Sequence, residues 1–237
     1  MIVSLSNSFS GDLEEILAKI DSKEPFAFAR YADGEYNVIH QIQARGCDGW
    51  EVGPEDKLMA QVMLEGLQHK EENYYYGISC RCCDHERMSY YRNILGWDCD
   101  RITFSNLFVN GNHPRFIEWC KGLKQPVFMM GNRTGAYNDY PFQVSDYMPI
   151  SADVIKAFRE YPDIIKNGAS NTAREKSGRL FFIAAGPLSE ILIHYMYSAN
   201  PNNTYIDIGS ALDMYIHGKA TRAYHGASPF STRECTF

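Results

Sequence analysis

The sequence predicts an α/β fold of the Rossmann-like type, in which a mainly parallel sheet carries helices on both faces. Short apolar segments alternate with amphipathic, helix-like segments from residue 26 onward. Several of the apolar segments run directly into turns that contain glycine, which is typical of strand ends. Because no repeat, low-complexity block or linker interrupts the alternation, we predict a single domain over residues 1–237.

The periodicity of the apolar residues places the individual elements. A helix over residues 10–21, with Ser10 as its N-cap, precedes a Rossmann-like core of residues 26–218, and a tail of residues 219–237 follows. Strands are predicted over residues 26–29, 73–79, 102–108, 126–130, 179–185 and 204–208. Helices are predicted over residues 36–43, 58–67, 84–95, 116–123 and 152–166 and after the turns at residues 186–187 and 209–210, and loops over residues 133–143 and 167–178.

The bulk composition excludes some classes of protein. The chain is 45% hydrophobic and 22% charged, as an ordinary soluble protein is. Its net charge of −6 argues against a general nucleic-acid-binding protein, which needs clustered lysine and arginine to contact phosphates. We expect no transmembrane segment, because no apolar run reaches the ~18 residues that a spanning helix needs, and no signal peptide. The odd number of cysteines, seven, favours reduced thiols and a cytoplasmic location.

A charged turn follows the first predicted strand. Arg30, Asp33, Gly34 and Glu35 place three charges and a glycine within six residues. An Asp-x-Glu pair on a turn can offer two oxygen ligands to Mg²⁺ or Mn²⁺, which usually take one or two carboxylates together with substrate phosphates. The simpler interpretation is a polar turn with an ion pair between Arg30 and one of the acids.

Three further strand ends carry candidate binding residues, which this fold should bring close to the charged turn because ligands bind at the carboxyl ends of parallel strands. At the end of the strand over residues 179–185, Gly186 allows a close backbone approach and Pro187 suits the first turn of a helix. The free N–H groups that follow, with a serine hydroxyl, can bind an anion. An ordinary tight turn is the alternative there. The candidates are Asn132, Gly186, Pro187, Ser189, Gly209 and Ser210.

Two acids near the last strand are candidates for catalysis. Asp207 lies near the end of the strand, and Asp213 is expected one turn into the next helix. Either can act as a general base or as a residue that orients another group. Asp213 can equally be a solvated residue that interacts with the helix dipole.

One cysteine cluster stands out, at Cys80-Arg-Cys-Cys83. Such a cluster can bind zinc, but it lacks the paired C-x₂-C spacing of structural zinc sites. Thiols at the end of a strand are the simpler interpretation. The sequence also lacks the glycine-rich dinucleotide motif, the P-loop and the nucleophile elbow, so these three chemistries are not expected.

The ordered motifs resemble those of the GT-D type glycosyltransferases, a family first catalogued as a bacterial domain of unknown function. That family has an arginine, two residues and Asp-Gly-Glu after its first strand, a late Gly-Pro turn, and a closing Ile-Asp-Ile-Gly strand before a helix that carries an aspartate. The resemblance spans residues 26–218, and within residues 37–178 it is limited to the alternation of elements. The matching positions are Arg30, Asp33, Gly34, Glu35, Gly186, Pro187, Ile206, Asp207, Ile208, Gly209 and Asp213.

The resemblance implies a glycosyltransferase of hexosyl type that uses a nucleotide-sugar donor with UDP as the expected nucleotide. On this hypothesis Asp33 and Glu35 bind Mn²⁺ or Mg²⁺, which stabilises the departing diphosphate as a Lewis acid. Arg30 pairs with phosphate or orients the carboxylates. Gly186 and Ser189 line the nucleotide pocket. The implied acceptor is a hydroxyl of a glycan or glycoprotein in surface-polysaccharide synthesis, in association with other glycan-synthesis enzymes.

The resemblance leaves the base that deprotonates the acceptor hydroxyl unidentified. Asp213 and Asp207 are candidates by position, and Asp139 is a third. Two other hypotheses use the same residues. A metal-dependent phosphoesterase or nucleotide hydrolase would activate water at the same carboxylates. A non-catalytic nucleotide-binding module would bind without turnover.

Overall fold

A computed structural model of the chain describes Leu5, residues 8–46 and residues 49–237. The strands are β1 (Ala27–Tyr31), β2 (Ala44–Arg45), β3 (Glu51–Val52), β4 (Tyr74–Ile78), β5 (Ile102–Phe104), β6 (Val127–Asn132), β7 (Val144–Ile150), β8 (Leu180–Ala184) and β9 (Thr204–Asp207). The helices are α1 (Phe9–Asp21), α2 (Asp33–Ile39), α3 (Lys57–Gly66), α4 (Arg81–Leu95), α5 (His113–Gly122), α6 (Val154–Glu160), α7 (Pro162–Arg174), α8 (Ser189–Ala199) and α9 (Asp213–Ile216).

Seven strands form one sheet in the order β5-β4-β1-β9-β8-β6-β7, and all neighbouring pairs run parallel. The chain builds outward from β1 through β4 to β5, and the later strands lie on the other side of β1. The direction of strand order therefore changes between β1 and β9. In open parallel sheets this is the point where a crevice opens at the carboxyl ends of the strands.

Helices cover both faces of the sheet, as predicted. Alternate residues of the first strand segment belong to two different hydrophobic clusters. Ala27, Ala29 and Tyr31 pack with residues of α2, α3, α4, α6, α7 and α8, whereas Phe26 and Phe28 pack with residues of α1 and α5. Since side chains alternate between the two faces of a strand, both faces of β1 are buried. The predicted Rossmann-like α/β arrangement is confirmed.

Several helix boundaries differ from the prediction, among them the starts of α1, α2, α4 and α5. Helix α2 begins at Asp33 rather than at residue 36, so the charged turn is the first turn of a helix. Helix α1 begins at Phe9 with Ser8 as its N-cap, which places Ser10 inside the helix.

The predicted helix over residues 152–166 is two helices. Helix α6 ends at Glu160, and Pro162 starts α7, because a proline lacks the N–H that a helix interior needs but fits a first turn. Helix α7 then continues to Arg174. Most of the loop predicted over residues 167–178 is therefore helical, and its polar residues form the exposed side of α7.

Two strand features were not predicted. Strand β7 forms an edge of the sheet and is only partly buried, so it lacks the apolar run that marks the central strands. The short antiparallel pair of β2 and β3 brings Trp50 into the core beside α2. Among the residues that the structure describes, no helix is both long and apolar enough to cross a membrane.

Candidate functional site

The candidate site is a cavity at the carboxyl edge of the sheet. Strands β1, β9, β8 and β6 are neighbours there, so the four predicted strand ends do converge. The cavity has a volume of about 280 Å³. Two of the predicted site residues, Asp207 and Ser189, are not among its lining residues. Those that line it are Arg30, Asp33, Glu35, Asn132, Gly186, Pro187, Gly209, Ser210 and Asp213.

Arg30 is fixed by neighbours on both sides of β1. Its Nε donates a hydrogen bond of 2.8 Å to Asp207 Oδ2, and its Nη1 donates one of 2.6 Å to the carbonyl oxygen of Ser105. Asp207 Oδ1 accepts a hydrogen bond of 2.8 Å from the N–H of Gly209. The predicted ion pair between Arg30 and an acid of the charged turn is therefore wrong, because the partner of Arg30 is Asp207 at the end of β9.

This geometry favours one of the two roles predicted for Asp207. Its side chain is buried, and both carboxylate oxygens already accept hydrogen bonds. A base that takes a proton from an acceptor hydroxyl must reach that hydroxyl. Asp207 is thus placed to position Arg30 and the turn at Gly209 rather than to contact substrate.

The two carboxylates of the charged turn have different surroundings. Asp33 is exposed, whereas Glu35 is buried and its Oε2 accepts a hydrogen bond of 2.7 Å from the N–H of Ala32 at the start of α2. Residues two positions apart on a helix do not face the same way, which explains the difference. Burial raises the pKa of Glu35 to about 7, and the Asp207 charge adds to the rise while the Ala32 N–H opposes it.

A hard divalent cation fits this donor set. Both Asp33 and Glu35 line the cavity, and Asp33 is the more accessible of the two carboxylates. Mg²⁺ is commonly held by one or two carboxylates together with the phosphates of a substrate, rather than by protein ligands alone. The residues present match that pattern.

Glu190 is a buried carboxyl group that the sequence interpretation missed. It lies in the first turn of α8 with almost no exposed surface, and neither of its oxygens has a hydrogen-bonding partner among the described residues. Burial first, and then the charges of Glu35 and Asp207, raises its pKa well above the usual value. A glutamate within the apolar segment Leu188–Ile193 was the available signal.

The Gly-Pro turn differs in one respect from the prediction. Gly186 has a φ of +52°, and a short 3₁₀ turn over Gly186–Leu188 leads into α8. Ser189 is fully buried, and its Oγ accepts a hydrogen bond of 3.0 Å from the N–H of Ala185. The Ser189 hydroxyl therefore stabilises the turn and does not lie at the cavity surface as expected.

Trp50 also lines the cavity and was not predicted as a site residue. Its indole lies so close to the backbone of the Gly-Pro turn that a Cβ at Gly186 would be 3.2 Å from Trp50 Nε1. A Cβ at Gly34 would lie 3.4 Å from the same ring. The absence of side chains at both glycines lets the indole pack between the ends of β1 and β8. No motif marks Trp50, because it does not lie in a turn that directly follows a strand of the seven-stranded sheet.

The tail contributes to the site. Thr221 donates a hydrogen bond from its hydroxyl to the carboxylate of Asp213, and Arg222 Nη1 lies 3.9 Å from the same group. Tyr224 and Ser210 share a hydrogen bond of 2.6 Å between their hydroxyls. Arg222 lines the cavity together with Asp213. The tail therefore covers one side of the cavity.

Two other predicted residues occupy different environments. Asn132 ends β6 at the cavity, and its side-chain oxygen accepts a hydrogen bond of 3.1 Å from the N–H of Thr134. Asp139 is exposed and is not among the residues that line the cavity, so the structure does not bring it to the candidate site.

Comparison with solved structures identifies the fold. The chain superimposes on a domain of unknown function 1792, described as having a distinct glycosyltransferase fold, with a TM-score of 0.59 and 16% sequence identity, over 92% of this chain and 88% of that one. The chain has a glycosyltransferase fold. A selenomethionine-substituted structure of the same domain gives a TM-score of 0.58 at 16% identity, over 87% of this chain and 80% of that one. No protein-family model and no curated protein matches the sequence.

The fold expected from the sequence resemblance is therefore confirmed. The roles of the individual site residues remain predictions, because 16% identity supports similarity of fold and no more.

Proposed function

We propose that the protein is a glycosyltransferase that transfers a sugar from a nucleotide-sugar donor. One observation carries the proposal: in a glycosyltransferase fold, the ends of β1, β9, β8 and β6 open into a single polar cavity at the switch in strand order. This is where open parallel sheets bind nucleotides and related ligands.

The charges around the cavity support dependence on a divalent cation. Three acidic side chains, Asp33, Glu35 and Asp213, line it against two arginines, Arg30 and Arg222. The guanidinium of Arg30 is already paired with Asp207. A nucleoside diphosphate carries several negative charges and needs additional positive charge in such a cavity. We therefore propose Mn²⁺ or Mg²⁺ as the cofactor, held by Asp33 and Glu35 together with the diphosphate.

The proposed reaction breaks the bond between the sugar and the diphosphate. A bound cation acts as a Lewis acid that stabilises the leaving diphosphate. Arg222 lines the cavity from the tail, and we propose that it contacts a phosphate oxygen. Trp50 offers an aromatic surface at the Gly-Pro turn, against which a nucleobase or sugar ring can pack.

Asp213 is the better of the candidates for the base that deprotonates the acceptor hydroxyl. It lines the cavity, whereas Asp207 is behind the lining and Asp139 is outside it. The Thr221 hydroxyl donates a hydrogen bond to its carboxylate, and Arg222 Nη1 lies 3.9 Å away, so the side chain is held in place at the cavity.

The resemblance of the sequence motifs to those of GT-D type glycosyltransferases supports a more specific proposal for the donor and the acceptor. We propose a UDP-linked hexose as the donor and a hydroxyl of a glycan or glycoprotein as the acceptor. The proposed setting is the synthesis of surface polysaccharide in the cytoplasm, in association with other enzymes of glycan synthesis. A phosphoesterase or a non-catalytic nucleotide-binding module remains the alternative if the donor is hydrolysed at phosphorus or is not turned over.

Thermal unfolding with a panel of nucleotides tests the binding part of the proposal. UDP, GDP, CMP and their sugar conjugates are each added with Mn²⁺ or with a chelator. A nucleotide at about 100 times its dissociation constant stabilises the folded state by about 2.7 kcal/mol, which is readily measured. We expect one nucleotide to stabilise the protein only with the metal.

Two variants make this test specific. Asp33→Asn is expected to abolish the metal-dependent stabilisation. The control is Asp100→Asn, since Asp100 is exposed just before β5, at the opposite edge of the sheet. Equal stabilisation in the chelator, or in Asp33→Asn, would show that the cation assignment is wrong. Absence of stabilisation by every nucleotide would contradict the proposed function.

A further inference from the structure

Four cysteine thiols form a cluster at the carboxyl edge of the sheet, apart from the acidic residues that line the cavity. Cys80 follows β4, and Cys82 and Cys83 lie in the first turn of α4. Cys235 joins them from the tail, although it is 152 positions from Cys83 in sequence. All four sulfur atoms lie within 4.8 Å of one another. The Cys80–Cys83 segment contains only three of the four ligands that a structural zinc site needs, and the tail supplies the fourth, Cys235.

The spacing of the sulfur atoms matches a tetrahedral metal site. The distances are 3.4 Å between Cys80 and Cys82, 4.0 Å between Cys82 and Cys83, and 3.9 Å between Cys83 and Cys235. Zinc bound by four cysteines has Zn–S distances of about 2.3 Å, which places the sulfur atoms about 3.8 Å apart at the corners of a tetrahedron. The three distances lie within about 0.4 Å of this value, and all four sulfur atoms lie within 4.8 Å of one another.

The surroundings of the cluster suit thiolates. Asn106 Nδ2 lies 2.9 Å from Cys235 Sγ, and the N–H of Thr236 lies 3.4 Å from Cys82 Sγ. Arg233 brings a guanidinium to the cluster, where it donates a hydrogen bond of 2.5 Å to the carbonyl oxygen of Cys82. Such N–H donors and a nearby positive charge offset the negative charge that four thiolates leave on a zinc site.

We propose that Cys80, Cys82, Cys83 and Cys235 bind one zinc ion as a structural site. Thiolate ligands select zinc over the hard cations Mg²⁺ and Mn²⁺, so this site is distinct from the proposed cavity cation. Four protein ligands leave no open position, which is the pattern of a structural rather than a catalytic zinc.

The zinc would link Cys235, near the end of the tail, to the cysteines that follow β4. Residues at the start of the tail, Thr221 and Arg222, contact Asp213 at the cavity, and Cys235 lies near its other end. The last residue, Phe237, stacks on Phe104 with ring centroids 4.3 Å apart. A metal at Cys235 therefore restricts the segment that covers one side of the cavity.

Metal analysis of the protein tests the proposal directly. The full chain is purified without a histidine tag and under reducing conditions, and its zinc is quantified by mass spectrometry after gel filtration. We expect one zinc per chain. Replacement by cobalt is expected to give the thiolate charge-transfer and tetrahedral ligand-field absorption bands of a four-cysteine site. Chelation is expected to make the tail sensitive to protease.

Matched variants assign the ligands. Cys83→Ser and Cys235→Ser are expected to lose the zinc, whereas Cys99→Ser, which changes a thiol outside the cluster, is expected to retain it. Asp33→Asn is also expected to retain it, which separates this site from the cavity. Because the cobalt spectrum is recorded on the wild-type chain, it remains decisive if a serine variant fails to fold. Absence of zinc from the reduced wild-type chain, zinc retained by both serine variants, or a disulfide within the cluster in its place would overturn the proposal.

Discussion

Arg30 is a single guanidinium that joins three strand ends. It belongs to β1, pairs with Asp207 at the end of β9, and donates to the carbonyl of Ser105, which follows β5. The Asp207 side chain is buried, and the Arg30 side chain is 18% exposed. Burial makes both charges costly, so the pair contributes more by fixing the arrangement of the strand ends than by Coulomb attraction. Losing one partner leaves the other charge buried and unpaired.

Replacing Arg30 therefore has a large expected effect. Arg30→Met should lower the free energy of unfolding by about 3–5 kcal/mol, as measured by urea denaturation, because Asp207 is left without its partner. The control is Arg45→Met, which removes an arginine whose ion pair with Glu51 is exposed. That variant should change stability by less than about 1 kcal/mol. Similar losses in the two variants would contradict this account of Arg30.

The buried carboxyl group of Glu190 is expected to make the stability of the protein depend on pH. Its pKa is raised in the folded state, so the folded protein keeps a proton there that the unfolded chain releases above its usual pKa of about 4.5. When it is measured between pH 5 and pH 8, stability should therefore fall as the pH rises, by up to about 1.4 kcal/mol per pH unit from this group. Glu35, with a pKa of about 7, contributes in the same direction up to that pH.

Glu190→Gln should make the pH dependence shallower, because glutamine does not titrate. The measurement is urea unfolding across this pH range with a chelator present, so that no cation affects the carboxylates. Glu118→Gln, at an exposed position of α5, serves as the control and should keep the wild-type slope. Parallel slopes for all three proteins would show that Glu190 does not hold a proton in the folded state.

At the scale of elements, the turn between β9 and α9 is the most constrained connection at the site. Gly209 has a φ of +49°, and a Cβ there would lie 1.9 Å from Arg30 Nη2. The positive φ and the close guanidinium both require glycine, for independent reasons. The turn also holds the N–H that donates to Asp207. Its geometry and that of the Arg30 pair are thus coupled.

A pair of glycine substitutions tests this coupling. Gly209→Ala should destabilise the protein by more than about 1–2 kcal/mol, the cost of a left-handed backbone alone, because the methyl group also displaces Arg30. Gly168→Ala is the control, since Gly168 is exposed within α7 and nothing lies near its missing Cβ. It should gain about 0.5–1 kcal/mol from helix propensity. Urea unfolding measures both, and a Gly209→Ala protein as stable as the wild type would contradict the coupling.

The elements that sequence could predict are those with a strong local signal. Apolar runs that end in glycine turns placed β1, β8 and β9, and the polar residues after them indicated the cavity edge. Strand β7 and the part of helix α7 after residue 166 were not predicted, because the first is a half-exposed edge strand and the second has a wide polar side. Their conformation depends on tertiary packing, which a local pattern does not record.

At the scale of the whole molecule, the contacts that could not be predicted are the long-range ones. Arg222 reaches the cavity, and Cys235 reaches the cysteine cluster, only because the tail folds back onto the core. Trp50 reaches the cavity through the short antiparallel pair of β2 and β3. Glu190 lies among the apolar residues of an ordinary helix. Its pKa is raised by burial and by the charges of Glu35 and Asp207, which belong to other elements. A single sequence contains no record of such pairings. The fold supplies them.

The position of bond cleavage in the donor distinguishes a glycosyltransferase from a phosphoesterase. The wild-type protein is incubated with each sugar nucleotide and Mn²⁺ in water enriched in heavy oxygen, and the products are examined by mass spectrometry. Glycosyl transfer to water, the reaction expected without an acceptor, cleaves the bond at the sugar carbon. We therefore expect an unlabelled nucleoside diphosphate, with the label confined to the released sugar. Label in a phosphate would indicate a phosphoesterase, and no turnover of any donor would indicate a binding module; either result would contradict the proposed glycosyltransferase.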